Sequence, residues 1–149
     1  MSEEKPDHIP TISAVMTPFP WVVEIGAPLA RAKEMMKHHD IRHLPVTEHG
    51  RLVGIITDRD IHVIEGEVVS QIRRSVLRVK DVVILDAYVV ETSARLDEVL
   101  LQMAKRHIGS ALVAKDGKIA GIFTATDACR QFGQFLRKMF PKGKSDEVA

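Results

Sequence analysis

The stretch from Gly54 to Asp60 reads Gly-Ile-Ile-Thr-Asp-Arg-Asp, and the chain repeats a version of it from Gly121 to Asp127 as Gly-Ile-Phe-Thr-Ala-Thr-Asp. In each copy a glycine and two apolar residues precede a threonine, and an aspartate follows three residues later, which is the pattern of a helix N-terminus. A strand is therefore predicted to end where a helix begins. Such a junction presents backbone N–H groups, a hydroxyl and a carboxylate, which suits a small anionic ligand that carries a sugar.

These two stretches belong to an internal duplication that covers most of the chain. Thr124 follows Thr57, and Asp127 follows Asp60, by the same interval of 67 residues. With that one shift and no gap, roughly fourteen of the forty-eight positions from 15 to 62 are identical to their counterparts. Self-similarity at a fixed interval indicates two copies of one structural unit.

The composition is that of a globular protein without a strong overall charge. Of the 149 residues, 45% are hydrophobic and 28% are charged, and the formal net charge is only +1, which favours neither nucleic acid nor membrane as a general partner. The single cysteine, Cys129, cannot form an internal disulfide, so a reducing cytoplasm is expected. No signal peptide and no apolar run of membrane-spanning length is recognisable, and we expect a soluble, cytoplasmic protein.

Each repeat is predicted to contain a helical lead-in, a strand, a helix, two strands and a closing helix, which gives a mixed α/β (α+β) fold. Prolines end the lead-in of the first repeat, and a turn at Gly50 separates its two later strands. The predicted elements of this repeat are a helical turn from Thr11, a strand over Trp21–Ile25, a helix over Leu29–His39, strands over 41–46 and 52–56, and a helix over Thr57–Ile64.

The segments outside these elements also carry interpretable patterns. Residues 67–77 have apolar residues at helical spacing and are predicted to form a connecting helix. A long helix is predicted after Asp127, and its apolar stripe is expected to be core or dimer surface rather than a lipid-binding face. The termini, residues 1–10 and 141–149, are expected to be flexible. The apolar stripe consists of Phe132, Phe135, Leu136, Met139 and Phe140.

The duplicated unit resembles a cystathionine β-synthase (CBS) domain. The resemblance rests on Val-Met-Thr-Pro at 15–18, His-Leu-Pro-Val at 43–46 and the Gly54–Asp60 stretch. It implies a first CBS domain over 11–66, a second over 78–140, and packing of the two through their sheets into one pseudo-twofold module. It also implies a free-standing regulatory pair whose clefts bind adenosine-containing ligands such as AMP, ADP, ATP or S-adenosylmethionine.

The resemblance also implies roles for particular residues. Asp60 and Asp127 would accept hydrogen bonds from ribose hydroxyls, and Thr57 and Thr124 would contact ribose or phosphate. Arg59, in the first turn of its helix, would reach a phosphate. The segments that would contact the adenine edge are Pro20, Trp21 and Val22 in one repeat and Ala87, Tyr88 and Val89 in the other. Further phosphate or base contacts would come from Arg42, His43 and Ser110.

The second copy departs from this pattern where charge is concerned. Ala125 and Thr126 replace an aspartate and an arginine, and Gly109 replaces Arg42. Cations for a phosphate near the second copy would have to come from the other repeat or from the run Lys105, Arg106 and His107. We therefore expect the two sites to be inequivalent.

Each of these signals has a simpler structural alternative. A threonine with an acid three residues on stabilises a helix start without any ligand. Three histidines, His38, His39 and His43, lie near a predicted helix end and are better explained by the helix dipole than by a metal. Cys129 is expected to be a buried or half-buried structural thiol, and no catalytic motif is recognisable in the sequence.

The sequence therefore predicts a regulatory, ligand-sensing protein rather than an enzyme. Its ligand would be an adenosine nucleotide or a related adenosyl compound, with or without magnesium, and no cofactor would be required. The expected partners are a second copy of the chain and an unidentified effector protein, in a role such as energy sensing. Two alternatives remain, a scaffold subunit whose clefts stay empty and a nucleic-acid-binding protein that uses the basic run Arg73, Arg74, Arg78 and Lys80.

Overall fold

The structure is a computed structural model that describes residues 8–66 and 71–143. Over these residues the chain forms seven strands, five α-helices and two short 3-10 turns. The predicted N-terminal arm up to residue 7, residues 67–70 of the predicted connecting helix, and residues 144–149 lie outside the described residues.

The two repeats have the same order of elements, as predicted from the 67-residue interval, except that β1 has only an isolated bridge at Ile84 as its counterpart. The first repeat comprises a 3-10 turn at Ile12–Ala14, β1 (Thr17–Pro18), β2 (Val23–Glu24), α1 (Leu29–His39), β3 (His43–Glu48), β4 (Arg51–Thr57) and α2 (Asp58–Gly66). A connecting helix, α3 (Gln71–Val76), follows. The second repeat comprises a 3-10 turn at Val79–Asp81, β5 (Val89–Glu91), α4 (Leu96–Arg106), β6 (Ser110–Lys115), β7 (Lys118–Thr124) and α5 (Ala125–Met139).

The periodicity of α1 is confirmed in detail. Its buried residues are the four apolar residues at helical spacing, Leu29, Ala32, Met35 and Met36. The predicted turn between β3 and β4 is also present, and His49 and Gly50 in it have φ angles of 51° and 78°. Two central residues with positive φ are what a tight hairpin turn between twisted strands requires.

The strand predicted over Trp21–Ile25 is wrong in extent. Only Val23 and Glu24 pair with β3, in parallel, opposite Val46 and Thr47. Trp21 lies outside the sheet because its indole is stacked on the His39 imidazole, with 3.8 Å between the ring centroids. The paired strand therefore begins only at Val23.

Two sheets form, each built around the strands of one repeat, and the second also contains β1 from the first repeat. The first has the order β2-β3-β4 and the second the order β1-β7-β6-β5. In both sheets the strand before the helix is parallel to the strand after it, β2 to β3 and β5 to β6. The strand after the helix then forms an antiparallel hairpin with the next strand, β3 with β4 and β6 with β7. The sheets meet through a small apolar cluster centred on Ile55, Leu112 and Ile122. The result is a pseudo-twofold module of mixed α and β structure.

The lead-in of each repeat packs into the other repeat. Ile12 is completely buried in the core of the second repeat, and its N–H donates to the Ala94 carbonyl at 2.8 Å. Val79 is completely buried in the core of the first repeat, and its N–H donates to the Ala27 carbonyl at 2.9 Å. Each core is thus completed by the partner repeat.

The glycines that open the repeated stretch are required by this exchange. β1 pairs with β7 with Pro18 opposite Gly121, and the equivalent bridge joins Ile84 to Ile55. A Cβ at Gly121 would lie 2.9 Å from the Thr17 carbonyl oxygen. A Cβ at Gly54 would meet the Ile84 carbonyl oxygen even more closely. Only a residue without a side chain lets the crossing backbone approach so near.

Helix α5 is long and amphipathic, but its apolar stripe lies on the surface. In the described structure none of its residues is buried, and Phe132 and Phe140 are 62% and 73% exposed. Of the two alternatives for this stripe, core is therefore wrong, and dimer surface stays a prediction. The prediction of a buried Cys129 is also wrong, because this thiol lies on the exposed part of α5. No helix of the described residues is long and apolar enough to cross a membrane.

We predict that the exchanged lead-ins make the two repeats one folding unit. Ile12→Ala should lower the free energy of unfolding by about 2–5 kcal/mol, because it leaves a cavity in the core of the other repeat. The change should appear in urea denaturation as an earlier single transition. Leu101→Ala, at a position 71% exposed on α4, is the matched control and should cost less than about 0.5 kcal/mol. Two separate transitions, or equal effects of the two substitutions, would contradict the exchange.

Candidate functional site

Two clefts lie between the repeats, and each is named here by its aspartate. The Asp127 cleft encloses about 610 Å³ and joins the start of α5 to residues of the first repeat. Its walls are contributed by Thr17, Pro20, Trp21, Asp40, Ile41, Arg42 and His43 from the first repeat and by Gly109, Ile122, Thr124, Ala125, Thr126, Asp127 and Arg130 from the second.

The Asp60 cleft is its pseudo-symmetric counterpart and encloses about 670 Å³. It joins the start of α2 to the segment that precedes β5. The polar and aromatic groups on its walls are Arg42, His43, Thr57, Asp58, Arg59 and Asp60 from the first repeat and Asp86, Tyr88, Arg106, His107 and Ser110 from the second. Volumes of this size are those of ordinary small-molecule sites.

A capped helix N-terminus lies at the wall of each cleft, as the repeated stretch predicts. The Thr124 hydroxyl accepts a hydrogen bond from the Asp127 N–H at 3.3 Å, while the Asp127 carboxylate accepts from the Thr124 N–H at 2.9 Å. The Thr57 hydroxyl likewise accepts from the Asp60 N–H, at 3.2 Å, and donates to the Asp60 carboxylate. The capping interpretation is therefore confirmed, and the cap fixes each carboxylate at the wall of its cleft.

The carboxylates of Asp60 and Asp127 differ in how many of their oxygens accept a hydrogen bond from the protein. Oδ2 of Asp127 accepts from Thr124, and Oδ1 accepts from the Arg130 guanidinium at 3.0 Å. Oδ2 of Asp60 accepts from Thr57, whereas its Oδ1 accepts no hydrogen bond from the described residues. Asp60 therefore keeps one carboxylate oxygen for a ligand hydroxyl, while a ligand at Asp127 would share its carboxylate with Arg130.

The segments before β2 and before β5 each bring an aromatic side chain to a cleft. Trp21 lies at the Asp127 cleft with its indole stacked on His39. Tyr88 lies at the Asp60 cleft with the Arg106 guanidinium 5.1 Å from the centre of its ring. Burial is the main reason that the pKa of the Tyr88 phenol is raised above its ordinary value near 10.

His43 belongs to the wall that the two clefts share. Burial is the largest influence on its pKa and lowers it; the nearby Asp60 carboxylate acts in the opposite direction, and Arg42 again lowers it. The imidazole is therefore favoured in its neutral form, which can both donate and accept a hydrogen bond. In the described residues no group of three or more His, Cys, Asp or Glu side chains comes together as a metal site.

The structure places most of the predicted site residues at the clefts, but it pairs them across the repeats. Thr57, Arg59 and Asp60 share a cleft with Ala87, Tyr88 and Ser110, whereas Thr124 and Asp127 share theirs with Pro20 and Trp21. Arg42 and His43 lie at both clefts. Val22 and Val89 are not among the residues that line either cleft.

Four charged residues at the clefts were not among the predicted site residues. Arg130 and Asp40 lie at the Asp127 cleft, and Asp58 and Asp86 lie at the Asp60 cleft. Arg106, which the sequence offered as a cation near the second copy, lines the Asp60 cleft instead. Arg130 follows Asp127 by three residues on one helix, so helical spacing could have indicated that the two pair. The position of Asp86 at the cleft beside Asp60 depends on the exchange of lead-ins, for which the sequence contains no signal.

The chain belongs to the CBS-domain family. The family model described as CBS domain matches residues 12–63 and again residues 79–133, so the two matches coincide with the two repeats of the fold.

The proteins with a similar sequence include enzymes, in which the similarity covers only part of the enzyme. The L-aspartate semialdehyde sulfurtransferase of Methanocaldococcus jannaschii is 29% identical over 136 residues, which cover 89% of this chain but 25% of the enzyme. The inosine-5'-monophosphate dehydrogenase of Korarchaeum cryptofilum is 31% identical over 117 residues, which cover 78% of this chain and 22% of the enzyme. The chain thus spans about a quarter of the length of these relatives.

Solved structures of similar length superimpose on the whole module. An acetoin utilization protein (AcuB) from Vibrio cholerae has a TM-score of 0.78 and 25% identity, and the match covers 91% of this chain and 99% of that one. The CBS domain pair of protein MJ0100, in complex with 5'-methylthioadenosine and S-adenosyl-L-methionine, has a TM-score of 0.74, 25% identity and coverages of 86% and 99%. CBSX2 in complex with AMP has a TM-score of 0.74, 25% identity and coverages of 85% and 98%.

We predict a pH dependence that originates at His43. Because its pKa is lower in the folded protein than the usual 6.5, the unfolded chain takes up the proton first as the pH falls. The stability that neutral His43 contributes is therefore complete above about pH 6.5 and is lost as the pH falls towards its folded pKa. His43→Gln should flatten the decline of unfolding free energy between neutral and mildly acidic pH, measured by urea denaturation.

The control for this experiment is His8→Gln, at an exposed position near the start of the described residues. That variant should follow the wild-type curve. A His43→Gln variant whose stability falls as steeply as that of the wild type would contradict the assignment.

Proposed function

We propose that this chain is a regulatory module that binds an adenosine nucleotide, or a related adenosyl ligand, in the two clefts. The observation that carries the proposal is the composition of each cleft. A capped helix start with a threonine and an aspartate from one repeat faces a strand-edge segment from the other, with arginines alongside. The structures of MJ0100 and CBSX2, which are similar over their whole length, contain adenosine compounds and support this choice.

Each part of such a ligand has a suitable group in the cleft. The carboxylates of Asp60 and Asp127 would accept hydrogen bonds from ribose hydroxyls, since they are held at helix starts by their caps. Backbone groups near Pro20 and Trp21, and near Ala87 and Tyr88, would contact the adenine edge. Arginines would bind the phosphates as charged forks, with or without magnesium between the phosphate oxygens. The arginines concerned are Arg42, Arg59, Arg106 and Arg130.

The proposed mechanism is a shift between two packings of the repeats rather than a chemical reaction. A ligand that contacts both repeats stabilises the packing in which both sets of contacts are made, by its difference in affinity for the two packings. The bound state would then be recognised by an effector protein. The alternative is a scaffold subunit whose clefts stay empty, and it predicts that no adenosine compound changes the stability of the fold.

We predict that at least one adenosine compound raises the melting temperature. A ligand at about one hundred times its Kd should stabilise the fold by about 2.7 kcal/mol, or about 5–10 °C for a chain of this size. The screen should compare AMP, ADP, ATP, NAD, S-adenosylmethionine and cyclic dinucleotides, each with and without magnesium. It should use protein that has been unfolded and refolded to remove any co-purified ligand. No shift with any of them would favour the scaffold alternative.

The two clefts should differ in their dependence on the aspartate. We predict that Asp60→Ala weakens binding of a phosphorylated nucleotide about 10- to 100-fold, because a hydrogen bond to a charged group is lost. Asp127→Ala should weaken it less, since Arg130 already occupies one oxygen of that carboxylate. Calorimetry with AMP measures both, and Asp97→Ala, at a position lining neither cleft, is the control. The reverse order of the two effects would refute the claim that Asp60 is the better ligand.

We further propose that the apolar stripe of α5 is covered by a second copy of the chain. Five large apolar side chains between Phe132 and Phe140 are each at least 39% exposed in a single copy, which is the pattern of an interaction surface. Phe135→Glu should convert a dimer to a monomer in sedimentation velocity, because a charge would have to be buried in the interface. Leu101→Glu, at an exposed position of α4, should leave the dimer intact. A wild-type chain that sediments as a monomer would contradict the proposal.

A further inference from the structure

The two clefts are separated by a thin wall, and its residues belong to both. Arg42, His43 and Gly109 line the Asp127 cleft and the Asp60 cleft alike. The wall is closely packed, since a Cβ placed on Gly109 would lie 3.2 Å from Nε2 of His43. Gly109 occupies the position that corresponds to Arg42 in the second repeat. The duplication therefore leaves one arginine, and not two, on this wall.

The backbone of Arg42 is fixed, but its guanidinium is not. The Arg42 carbonyl accepts a hydrogen bond from the Asp58 N–H at 2.9 Å, which ties the residue to the start of α2. The Gly109 carbonyl accepts from the Ala125 N–H at 2.9 Å, which ties the wall to the start of α5. The Arg42 side chain is exposed and, among the described residues, forms no hydrogen bond or ion pair. It can therefore turn towards either cleft.

The charges at each cleft depend on this one arginine. The Asp60 cleft is lined by Arg42, Arg59 and Arg106 and by three aspartates. The Asp127 cleft is lined by Arg42 and Arg130 and by two aspartates. When the Arg42 guanidinium faces one cleft, the carboxylates of the other outnumber its arginines, and a phosphate there meets a net negative wall.

We propose that Arg42 is a phosphate ligand shared by the two clefts, so that a phosphorylated nucleotide bound in one cleft weakens the binding of a second in the other. This inference rests on the proposed function and adds a rule for how the two sites interact. An adenosyl ligand without a phosphate makes no demand on Arg42, and its binding in one cleft leaves the other cleft unaffected. The pair of clefts then distinguishes a phosphorylated ligand from one without a phosphate by how many copies bind.

The chain contains a probe for one cleft alone. Trp21 is its only tryptophan and lies at the Asp127 cleft. Tryptophan fluorescence therefore follows occupancy of that cleft during a titration, and calorimetry of the same samples measures the total heat of binding to both clefts. The Asp60 cleft can be disabled by Arg59→Ala combined with Asp60→Asn, which removes one arginine and one carboxylate charge while keeping the size of the capping side chain.

The test compares the Trp21 midpoint with and without a working Asp60 cleft. With AMP, disabling the Asp60 cleft should lower the AMP concentration at the midpoint at least about 5-fold, which is the lower end of typical coupling between sites. With adenosine the same double substitution should leave the midpoint unchanged. In an Arg42→Ala background the AMP midpoint should no longer respond to the Asp60 cleft. Circular dichroism on each variant verifies that it is folded.

Several results would overturn the inference. A midpoint for AMP that is unaffected by the Asp60 cleft would mean that the clefts are independent. A midpoint that rises when the Asp60 cleft is disabled would mean that AMP bound in one cleft strengthens the binding of AMP in the other. Equal shifts with AMP and adenosine would mean that coupling does not depend on the phosphate. The absence of any binding heat with AMP and adenosine would instead refute the proposed function itself, and the inference with it.

Discussion

The exchange of lead-in segments between the repeats is the constraint on which the rest of this structure depends. Ile12 completes the core of the second repeat and Val79 completes the core of the first, and neither is accessible to solvent. Gly54 and Gly121 allow the crossing backbones to approach closely. Because each repeat supplies part of the other's core, the sheets are held face to face, and the segments before β2 and β5 are brought to the helix start of the opposite repeat. Each cleft is therefore lined by residues of both repeats.

Duplication followed by divergence explains why the clefts are alike in one respect and different in another. The threonine and aspartate of the cap are retained in both repeats, where they stabilise the helix start and orient a carboxylate at the cleft wall. The charged residues around them have diverged. Arg42 has no counterpart in the second repeat. Asp127 pairs with Arg130, whereas the position equivalent to Arg130 in the first repeat is Val63. Under the proposed function, the shared cap would hold a sugar in both clefts, whereas the arginines available for a phosphate differ between them.

Much of the fold could be predicted from the sequence, because its signals are local. The buried face of α1, the β3–β4 turn and the capped starts of α2 and α5 all follow from spacing and from residue type. The sequence could not show that Trp21 stacks on His39 outside the sheet, since that contact depends on how the end of α1 lies against the segment before β2. Nor could it show which cap faces which strand-edge segment, because the same 67-residue interval is compatible with packing within a repeat or across repeats. Nor could it show the exposure of Cys129, because a position inside a helix does not reveal whether anything covers that face.

The central claim is that an adenosine ligand binds between the repeats and contacts both of them. A crystal structure of the chain grown with AMP tests this most directly. The account predicts the ribose within hydrogen-bond distance of the carboxylate of Asp60 or Asp127, and the adenine against the strand-edge segment of the other repeat. AMP bound outside both clefts, or held by residues of a single repeat, would contradict it.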